Sequence, residues 1–270
     1  MKKLLLFILL ITFLPAICWG KVYQVKIESQ PELHQAAFYG NFDQVQQLVN
    51  TVIVDVDARG QYDFTALMWA VMGNNRQIIQ YLVESGADIN ATGIAGYTAF
   101  HFSVTSGSIH MYGGAINYII PRYDQEVSTV ELLLRLGADV NAKTKEGYIA
   151  LMLAKYGNKE IVKLLLDAGA EINAQDNYGA TALLKAAWRG ADKAVKVLLD
   201  AGADLDTRGF FGMTALMFAA EEGHTEIVKM LLDAGADMEV KNNDGFTALM
   251  IARKNRQREI VQLLMKAKRK

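Results

Sequence analysis

The chain has 270 residues, of which 51% are apolar and 21% are charged, and its formal net charge at pH 7 is −1. This composition is typical of a folded protein and excludes a chain that is disordered throughout. The small net charge gives no electrostatic reason to expect a nucleic-acid partner, since such proteins usually carry a strongly basic surface. With only three prolines in the chain, a turn-rich β-sandwich is also disfavoured.

The N-terminal segment has the layout of a secretory signal peptide. Lys2 and Lys3 form a short positive segment, and residues 4–14 are almost continuously apolar. Small residues at positions 18 and 20 then favour cleavage before Lys21. The apolar run is shorter than the about 20 residues that a membrane-spanning helix needs.

We therefore expect a cleaved signal peptide at 1–20, followed by a short leader at 21–30. Export to the periplasm or secretion would follow, with no membrane insertion after cleavage. The alternative is a membrane anchor formed by an uncleaved N-terminus. The only cysteine, Cys18, lies in the predicted signal peptide, so the predicted mature chain has no disulfide.

A motif of the type Gly-x-Thr-Ala-Leu recurs along the rest of the chain, and a second motif, Gly-Ala-Asp or Gly-Ala-Glu, follows every copy but the last. The last three threonines of the first motif are 33 residues apart, as are the first two. Self-similarity at such a fixed period indicates an array of stacked supersecondary units. The threonine position is occupied by Thr65, Thr98, Ile149, Thr181, Thr214 and Thr247.

One unit shows how such an array holds together. Thr214 can cap a short alanine-rich helix, and Gly223 ends that helix. A second helix over 226–232 has apolar residues at helical spacing, and Gly235 follows its last turn. Neither helix is long enough to be stable alone in water, so neighbouring units must stack to bury a continuous core.

This 33-residue unit resembles the ankyrin repeat, most closely over residues 212–237. The chain has Ala-Leu-Met in most repeats where the family often has Pro-Leu-His, and His101 alone keeps the histidine. The resemblance implies an all-α ankyrin-repeat solenoid over 31–270, with about seven helix-turn-helix repeats and hairpin-like turns. The predicted repeats lie near 31–59, 60–92, 93–143, 144–175, 176–208, 209–241 and 242–270.

The predicted repeat at 93–143 carries an insertion. The interval from Gly96 to Gly137 is 18 residues longer than the corresponding interval in regular repeats, which places the extra residues near 108–125. The inserted segment is rich in tyrosine and isoleucine. Insertions in repeat arrays tend to emerge on the binding face. Two interpretations stay open: the insertion contacts a partner, or it covers an edge of the solenoid.

The residues around the turn glycine, and the residue seven positions after the threonine, vary between repeats and are often aromatic. The resemblance implies that these positions line the concave groove and contact partners, and aromatic residues are favoured interface anchors. The alternative is that neighbouring turn tips pack on one another. With the insertion, the candidate partner-binding residues are Tyr62, Phe64, Tyr97, Tyr112, Tyr118, Tyr148, Tyr156, Tyr178, Trp188, Phe210, Phe211 and Phe246.

The sequence contains no motif for catalysis, nucleotide binding or metal coordination, and its four histidines are not paired at metal-ligand spacing. We therefore expect no catalytic residue, no cofactor and no metal. The predicted protein is a monomeric, exported, bacterial-type ankyrin scaffold that binds an unidentified protein and not nucleic acid. The alternatives are a secreted effector that targets a host protein and an enzyme whose site is formed by the insertion. The basic C-terminal segment is either a solvated cap or a patch for an acidic partner or nucleic acid.

Overall fold

The computed structural model describes residues 31–51, 54–105, 126–154 and 158–268. The predicted signal peptide, the leader and the insertion at 108–125 lie outside these ranges, and so do the candidate residues Tyr112, Tyr118 and Tyr156. Among the described helices, none is long and apolar enough to cross a membrane.

Fourteen α-helices in seven consecutive pairs make up the regular structure of the described ranges, which confirms the all-α expectation. β-Structure there is limited to a single bridge between Thr92 and Thr98. The pairs are α1 (Glu32–Tyr39) and α2 (Phe42–Val49), α3 (Ala66–Met72) and α4 (Arg76–Glu84), α5 (Ala99–Val104) and α6 (Glu126–Arg135), α7 (Ala150–Leu153) and α8 (Lys159–Asp167), α9 (Ala182–Trp188) and α10 (Asp192–Asp200), α11 (Ala215–Glu222) and α12 (Thr225–Asp233), and α13 (Ala248–Lys254) and α14 (Arg258–Ala267).

The helices form two layers. The first helices of the pairs (α1, α3, α5, α7, α9, α11 and α13) pack on one another in chain order, and the second helices form a parallel row behind them. Small residues such as Ala70, Ala187 and Ala219 are buried in the first layer. Because alanine adds only a methyl group, neighbouring helices approach closely there, and each pair buries its apolar side against the next.

The recurring threonine starts most of the first helices. In each of five repeats its hydroxyl accepts a hydrogen bond from the backbone N–H three residues later, and this capping of the helix N-terminus satisfies a donor that has no partner inside the helix. Where Ile149 replaces threonine, the side chain makes no cap and α7 has only four residues. The capping residues are Thr65, Thr98, Thr181, Thr214 and Thr247.

Consecutive repeats are also joined by side-chain oxygens in the loops that follow the second helices. Asn173 Oδ1 accepts from the backbone N–H of Asp204 at 2.9 Å, one repeat later. Asp206 Oδ1 then accepts from the N–H of Asp237 at 3.0 Å. These bonds extend the recurring Gly-Ala-Asp motif into a ladder along one edge of the solenoid. Its other rungs are the bonds from Asp88 to Asp57, from Asp139 to Asn90 and from Glu171 to Asn141.

Two buried histidines join the repeats of the N-terminal half. His101 Nδ1 accepts from the backbone N–H of Thr98 at 3.1 Å, so its proton is on Nε2, which donates to Tyr148 O at 3.2 Å. His34 Nε2 lies 3.0 Å from Phe64 O, and its Nδ1 is buried without a hydrogen-bond partner. Burial lowers the pKa of both histidines, although their backbone carbonyl partners oppose part of that effect.

We predict that this protein loses stability as the pH falls below about 6.5, the ordinary pKa of histidine. Because the folded-state pKa values are lowered, the stabilisation is fully present above that pH and is lost as the pH falls through the folded values. Each histidine can contribute a slope of at most about 1.4 kcal/mol per pH unit.

Urea unfolding at pH values between 7.5 and 5.5 measures this effect. The control is His101→Gln, whose side chain is neutral at every pH in this range. The difference in unfolding free energy between the two proteins should shrink as the pH falls. A difference that stays constant with pH would contradict the assignment to His101.

Candidate functional site

The turn before each first helix from α3 onward has one of two forms. Where the turn starts at Thr144, Asp176 or Asn242, the side-chain oxygen of that residue accepts backbone N–H groups of the same turn. Where it starts with glycine, at 60, 93 or 209, a short 3-10 turn forms. In these turns a residue with a side chain takes the left-handed conformation: Tyr62 at φ 64°, Ala95 at φ 55° and Phe211 at φ 55°.

Backbone hydrogen bonds join several neighbouring turn tips. The tips of the third and fourth repeats are joined by Lys145 N, which donates to Ala95 O at 2.8 Å, and those of the fourth and fifth by Asn177 N, which donates to Glu146 O at 2.9 Å. Asn243 N donates to Phe211 O at 2.8 Å between the sixth and seventh tips. These bonds fix the tips relative to one another, so side chains at the tips are held by a rigid support.

Phe64 and Tyr97, which the sequence predicts to contact a partner, are instead buried in the core and offer almost no surface to one. Phe64 is fully buried, with its ring centroid 5.8 Å from that of Trp69 and 5.1 Å from that of Phe102. Tyr97 stacks on Phe102 at 5.7 Å. Large rings on the first helices, Trp69 and Phe102, give both side chains an apolar surface to pack on, which differs from the tip-on-tip packing that the sequence left open.

The remaining candidate of the second repeat is half-buried. The Tyr62 ring lies 6.0 Å from that of Phe64.

The environment of Tyr97 changes the acidity of its phenol. Burial, and next the carboxylate of Glu146, raise the pKa of Tyr97 to about 12. Its phenol therefore stays protonated throughout the physiological range.

A buried ion pair lies among the candidates of the fourth and fifth repeats. Lys185 Nζ is 2.9 Å from Asp176 Oδ2 and 4.3 Å from the centre of the Tyr148 ring. The Asp176 carboxylate is fully buried, and its other oxygen accepts the N–H groups of Tyr178 and Ala180. Burial lowers the pKa of Lys185, and the charge of Asp176 opposes part of that effect. The pair anchors the fifth turn to helix α9 and places a cation against an aromatic ring.

The turn tips of the fifth and sixth repeats carry a cluster of aromatic rings. Tyr178 and Phe210 stack with their ring centroids 4.6 Å apart, and Phe210 lies 5.9 Å from Phe211. Tyr178 is 53% exposed, and both phenylalanines are partly exposed. No backbone hydrogen bond joins these two tips among the described residues, so ring stacking takes the place of the bonds found between other tips.

The first helices of the fifth and sixth repeats add an aromatic and acidic surface. Trp188 and Phe218 have ring centroids 6.3 Å apart, and the indole Nε1 of Trp188 donates to Glu222 Oε1 at 3.2 Å. Burial, together with the neighbouring charge of Glu222, raises the pKa of Glu221, while Lys254 acts in the opposite direction. The nearby ring of Phe246 lies 5.2 Å from Lys254 Nζ.

We name the partly exposed residues of these turn tips and first helices the inner face. Besides predicted candidates, it includes Lys185 and Phe218, which were not among the predicted partner-binding residues. Both lie four residues after the threonine position. Lys185 could have been recognised from the sequence, because the other repeats have an apolar residue at this position. The inner face comprises Tyr148, Tyr178, Lys185, Trp188, Phe210, Phe211, Phe218 and Phe246.

Within the described ranges, no group of three or more histidine, cysteine, aspartate or glutamate side chains is placed to hold a metal ion. On the inner face, Lys185 is paired with Asp176 and the Trp188 indole donates to Glu222. The geometry therefore offers rings, hydrogen-bonding groups and a few charges for contact with a large partner.

The sequence comparison decides the family. The profile described as "Ankyrin repeats" matches the chain in three copies, over residues 33–113, 118–209 and 205–270. The chain belongs to the ankyrin-repeat family.

A solved structure supports the same assignment over nearly the whole repeat region. The ankyrin repeat domain of Bcl-3, described as a unique member of the IkappaB protein family, superposes with a TM-score of 0.71 at 28% sequence identity. The match covers 87% of this chain and 98% of that domain. The ankyrin solenoid expected from the sequence is thereby confirmed.

Curated relatives match shorter parts of the ankyrin array. Alpha-latrocrustotoxin-Lt1a of Latrodectus tredecimguttatus is 37% identical over 68 residues, which are 25% of this chain and 5% of the toxin. Palmitoyltransferase AKR1 of Lachancea kluyveri is 26% identical over 147 residues, covering 46% of this chain and 20% of that protein. Ankyrin repeat domain-containing protein 40 of Homo sapiens is 40% identical over 62 residues, covering 23% and 17%.

This chain therefore spans a small part of the length of these curated relatives. They come from a spider, a yeast and a mammal, so they give no support to a bacterial type. The similarity is to their repeats, and repeats of this kind form extended surfaces that bind partners.

We predict that Asp176 and Lys185 act as a coupled pair in this ankyrin array. The seventh repeat has Asn242 and Ile251 at the equivalent positions, and Asn242 Oδ1 accepts the N–H groups of Asp244 and Phe246 in the same way as Asp176. Asp176→Asn alone should destabilise the protein by about 1–3 kcal/mol, because a buried ammonium group loses its charged partner.

The double variant Asp176→Asn/Lys185→Ile should recover much of that loss, since it reproduces the arrangement of the seventh repeat. Chemical denaturation of the two single variants and the double variant gives the coupling energy. Additive effects of the two substitutions would show that the pair is not coupled.

Proposed function

We propose that this ankyrin-repeat protein binds another protein through the inner face and does not catalyse a reaction. The observation that carries the proposal is the stacked pair of Tyr178 and Phe210, because Tyr178 stays 53% exposed at a turn tip. Tyrosine and phenylalanine supply large contact areas with few rotatable bonds, and aromatic residues are enriched at the centres of interfaces. The flanking Trp188 provides a second anchor one helix away.

The conformation of Phe211 supports the same proposal. A left-handed backbone costs a residue with a side chain about 1–2 kcal/mol, a cost that glycine would avoid. Phe211 has φ 55° and ψ 21°, and its side chain is partly exposed. Backbone strain of this kind tends to occur at binding sites. We infer that the ring is kept at the tip for contact with the partner.

We further propose that the protein is exported and acts as a monomer. Lys2, Lys3 and the apolar residues at 4–14 support export, and they lie outside the described ranges. N-terminal sequencing of the protein from the extracytoplasmic fraction should give a first residue of Lys21. A retained N-terminus would favour the membrane-anchored alternative. Sedimentation at micromolar concentration should give the mass of one chain.

Two alternatives differ in the kind of partner or activity. A secreted effector would recognise a protein of another organism, and recovery of the protein from the medium rather than from the cell envelope would favour it. An enzyme would need a site in the insertion at 108–125, which lies outside the described residues. Loss of a measured activity on deleting 109–125, with binding intact, would favour the enzyme.

The scaffold proposal is tested by affinity capture from an extract of the producing organism. The test variant is Tyr178→Ala/Phe210→Ala/Trp188→Ala, which removes three rings from the inner face. The matched control carries Lys163→Ala and Lys193→Ala on the opposite, second-helix layer. We expect a protein that is captured by the wild type and the control and is lost with the triple variant. Equal capture by all three proteins would contradict the proposal.

We predict that Phe211 contributes to binding more than to stability. In Phe211→Gly the relief of left-handed strain offsets the lost contact with Phe210, so the unfolding free energy should change by less than about 1 kcal/mol. Affinity for the captured partner should fall at least about tenfold, as expected when an interface anchor is removed.

Phe211→Ala is the matched control, because Ala95 shows that the fold accepts alanine at this position. Calorimetry for binding and denaturant unfolding for stability give the two quantities. If Phe211→Gly binds as well as the wild type, the ring has no role in partner contact.

A further inference from the structure

The seventh repeat exposes apolar residues that the other repeats bury. Met250 is 46% exposed, whereas the equivalent Met68 and Met217 are 0% and 1% exposed. Met265, on the neighbouring helix α14, is 37% exposed, whereas the equivalent Leu199 and Leu232 are half-buried.

The residues around the two methionines follow the same pattern. Leu249 and Val261 are partly exposed, whereas the equivalent Leu216 and Val228 are buried under the seventh repeat. We name this surface the end face, and it consists of Leu249, Met250, Arg253, Arg256, Val261 and Met265. Its apolar residues lie on helices α13 and α14, with Arg253 on α13 and Arg256 in the turn between the two helices.

Arg253 distinguishes the end face from the surfaces buried between internal repeats. The equivalent residues in the fifth and sixth repeats are Ala187 and Ala220, both fully buried between neighbouring pairs. A long charged side chain at that position is costly to bury without a charged partner.

Arg256 leads to the same conclusion by a different route. Its equivalents are Gly190 and Gly223, and both contact the next repeat closely. A Cβ at Gly223 would lie 2.7 Å from Gln257 Nε2, and a Cβ at Gly190 would lie 2.6 Å from the His224 ring. Arg256 keeps the left-handed backbone of these glycines, with φ 60°, and its side chain is longer than that of Asn74, the residue at this position in the second repeat. Arg253 and Arg256 therefore make the end face unlike the surfaces buried between the internal repeats.

The charge of the end face indicates what does fit. The Arg253 guanidinium group lies 3.7 Å from Met265 Sδ, so positive charge directly borders the apolar surface. Arg253 and Arg256 are exposed, and neither is ion-paired with a carboxylate among the described residues. Lys268, by contrast, is paired with Glu239 at 2.8 Å. A ligand with carboxylates beside an apolar stripe would pair both arginines and cover both methionines.

We propose that the end face docks an acidic amphipathic helix of a partner protein. The helix supplies an apolar stripe for Met250, Val261 and Met265, and its flanking aspartates or glutamates pair with Arg253 and Arg256. A second copy of this chain brings arginines against arginines, which like-charge repulsion disfavours. Nucleic acid would pair the arginines and leave the methionines in water. This site is separate from the inner face.

The test uses the full chain with isotope-labelled methionine methyl groups, observed by NMR. One probe is a synthetic helical peptide with a leucine stripe flanked by glutamates, and the second has every glutamate replaced by lysine. We expect the acidic peptide to shift the signals of Met250 and Met265 and to bind at least about tenfold more tightly than the basic peptide, with weakening at high salt.

Variants separate the apolar and charged parts of the site. Arg253→Ala/Arg256→Gly introduces the residues found in the fifth and sixth repeats. It should lower the affinity for the acidic peptide about tenfold. Arg253→Glu/Arg256→Glu should reverse the preference toward the basic peptide. Lys163→Glu/Lys193→Glu makes the same charge change on exposed residues of α8 and α10 and should leave binding unchanged. Thermal unfolding checks that every variant folds.

Several outcomes overturn the proposal. Equal affinity for the two peptides would show that the end face does not recognise an acidic helix. The same conclusion would follow if the acidic peptide left the NMR signals of Met250 and Met265 unchanged. Concentration-dependent dimerisation with shifts of the same two methyl groups would assign the face to a second copy of the chain. Tighter binding of duplex DNA or of vesicles with anionic lipids than of the acidic peptide would assign the arginines to another class of ligand.

Discussion

Burial between neighbouring repeats is the interaction on which the rest of this structure depends. None of the first helices has more than eight residues, and such a helix is not stable alone in water. Each internal one is held because small and apolar residues on both of its sides pack against the preceding and following helices. Capping threonines and the side-chain ladder then satisfy backbone donors that this packing leaves without partners. Function in such an array is confined to positions that the stacking does not need.

Those positions could be recognised from the sequence, but their burial could not. Phe64 and Tyr148 both directly precede the threonine position of their repeats, yet Phe64 is fully buried and Tyr148 is half-buried. The neighbouring first helices differ, since they place Trp69 and Phe102 beside Phe64 and Lys185 beside Tyr148. A motif aligned within one repeat does not contain this information, because the neighbour that covers a turn tip belongs to another repeat.

The repeat pattern itself was fully predictable, because the threonine, alanine and glycine positions each have a local physical role. Departures from the pattern were the more informative features. Ile149 removes a cap and is followed by the shortest of the described helices. Lys185 and Asp176 depart together, a charge at an apolar position and a carboxylate at the start of a turn, and they form one ion pair. Arg253 and Arg256 depart together where alanine and glycine are usual, and both lie on the end face. In a repeat protein, paired exceptions indicate which residues meet in space.

The turn tips of the fifth and sixth repeats depend on the same rings for two contacts. The next tips on either side of this junction are joined across by directional backbone hydrogen bonds, whereas the junction itself is spanned by the stacked rings of Tyr178 and Phe210. The two rings that hold these tips together are therefore also the rings proposed to contact the partner. A ligand that reorients either ring also changes the contact between the two repeats, so binding at this junction is coupled to the spacing of the tips.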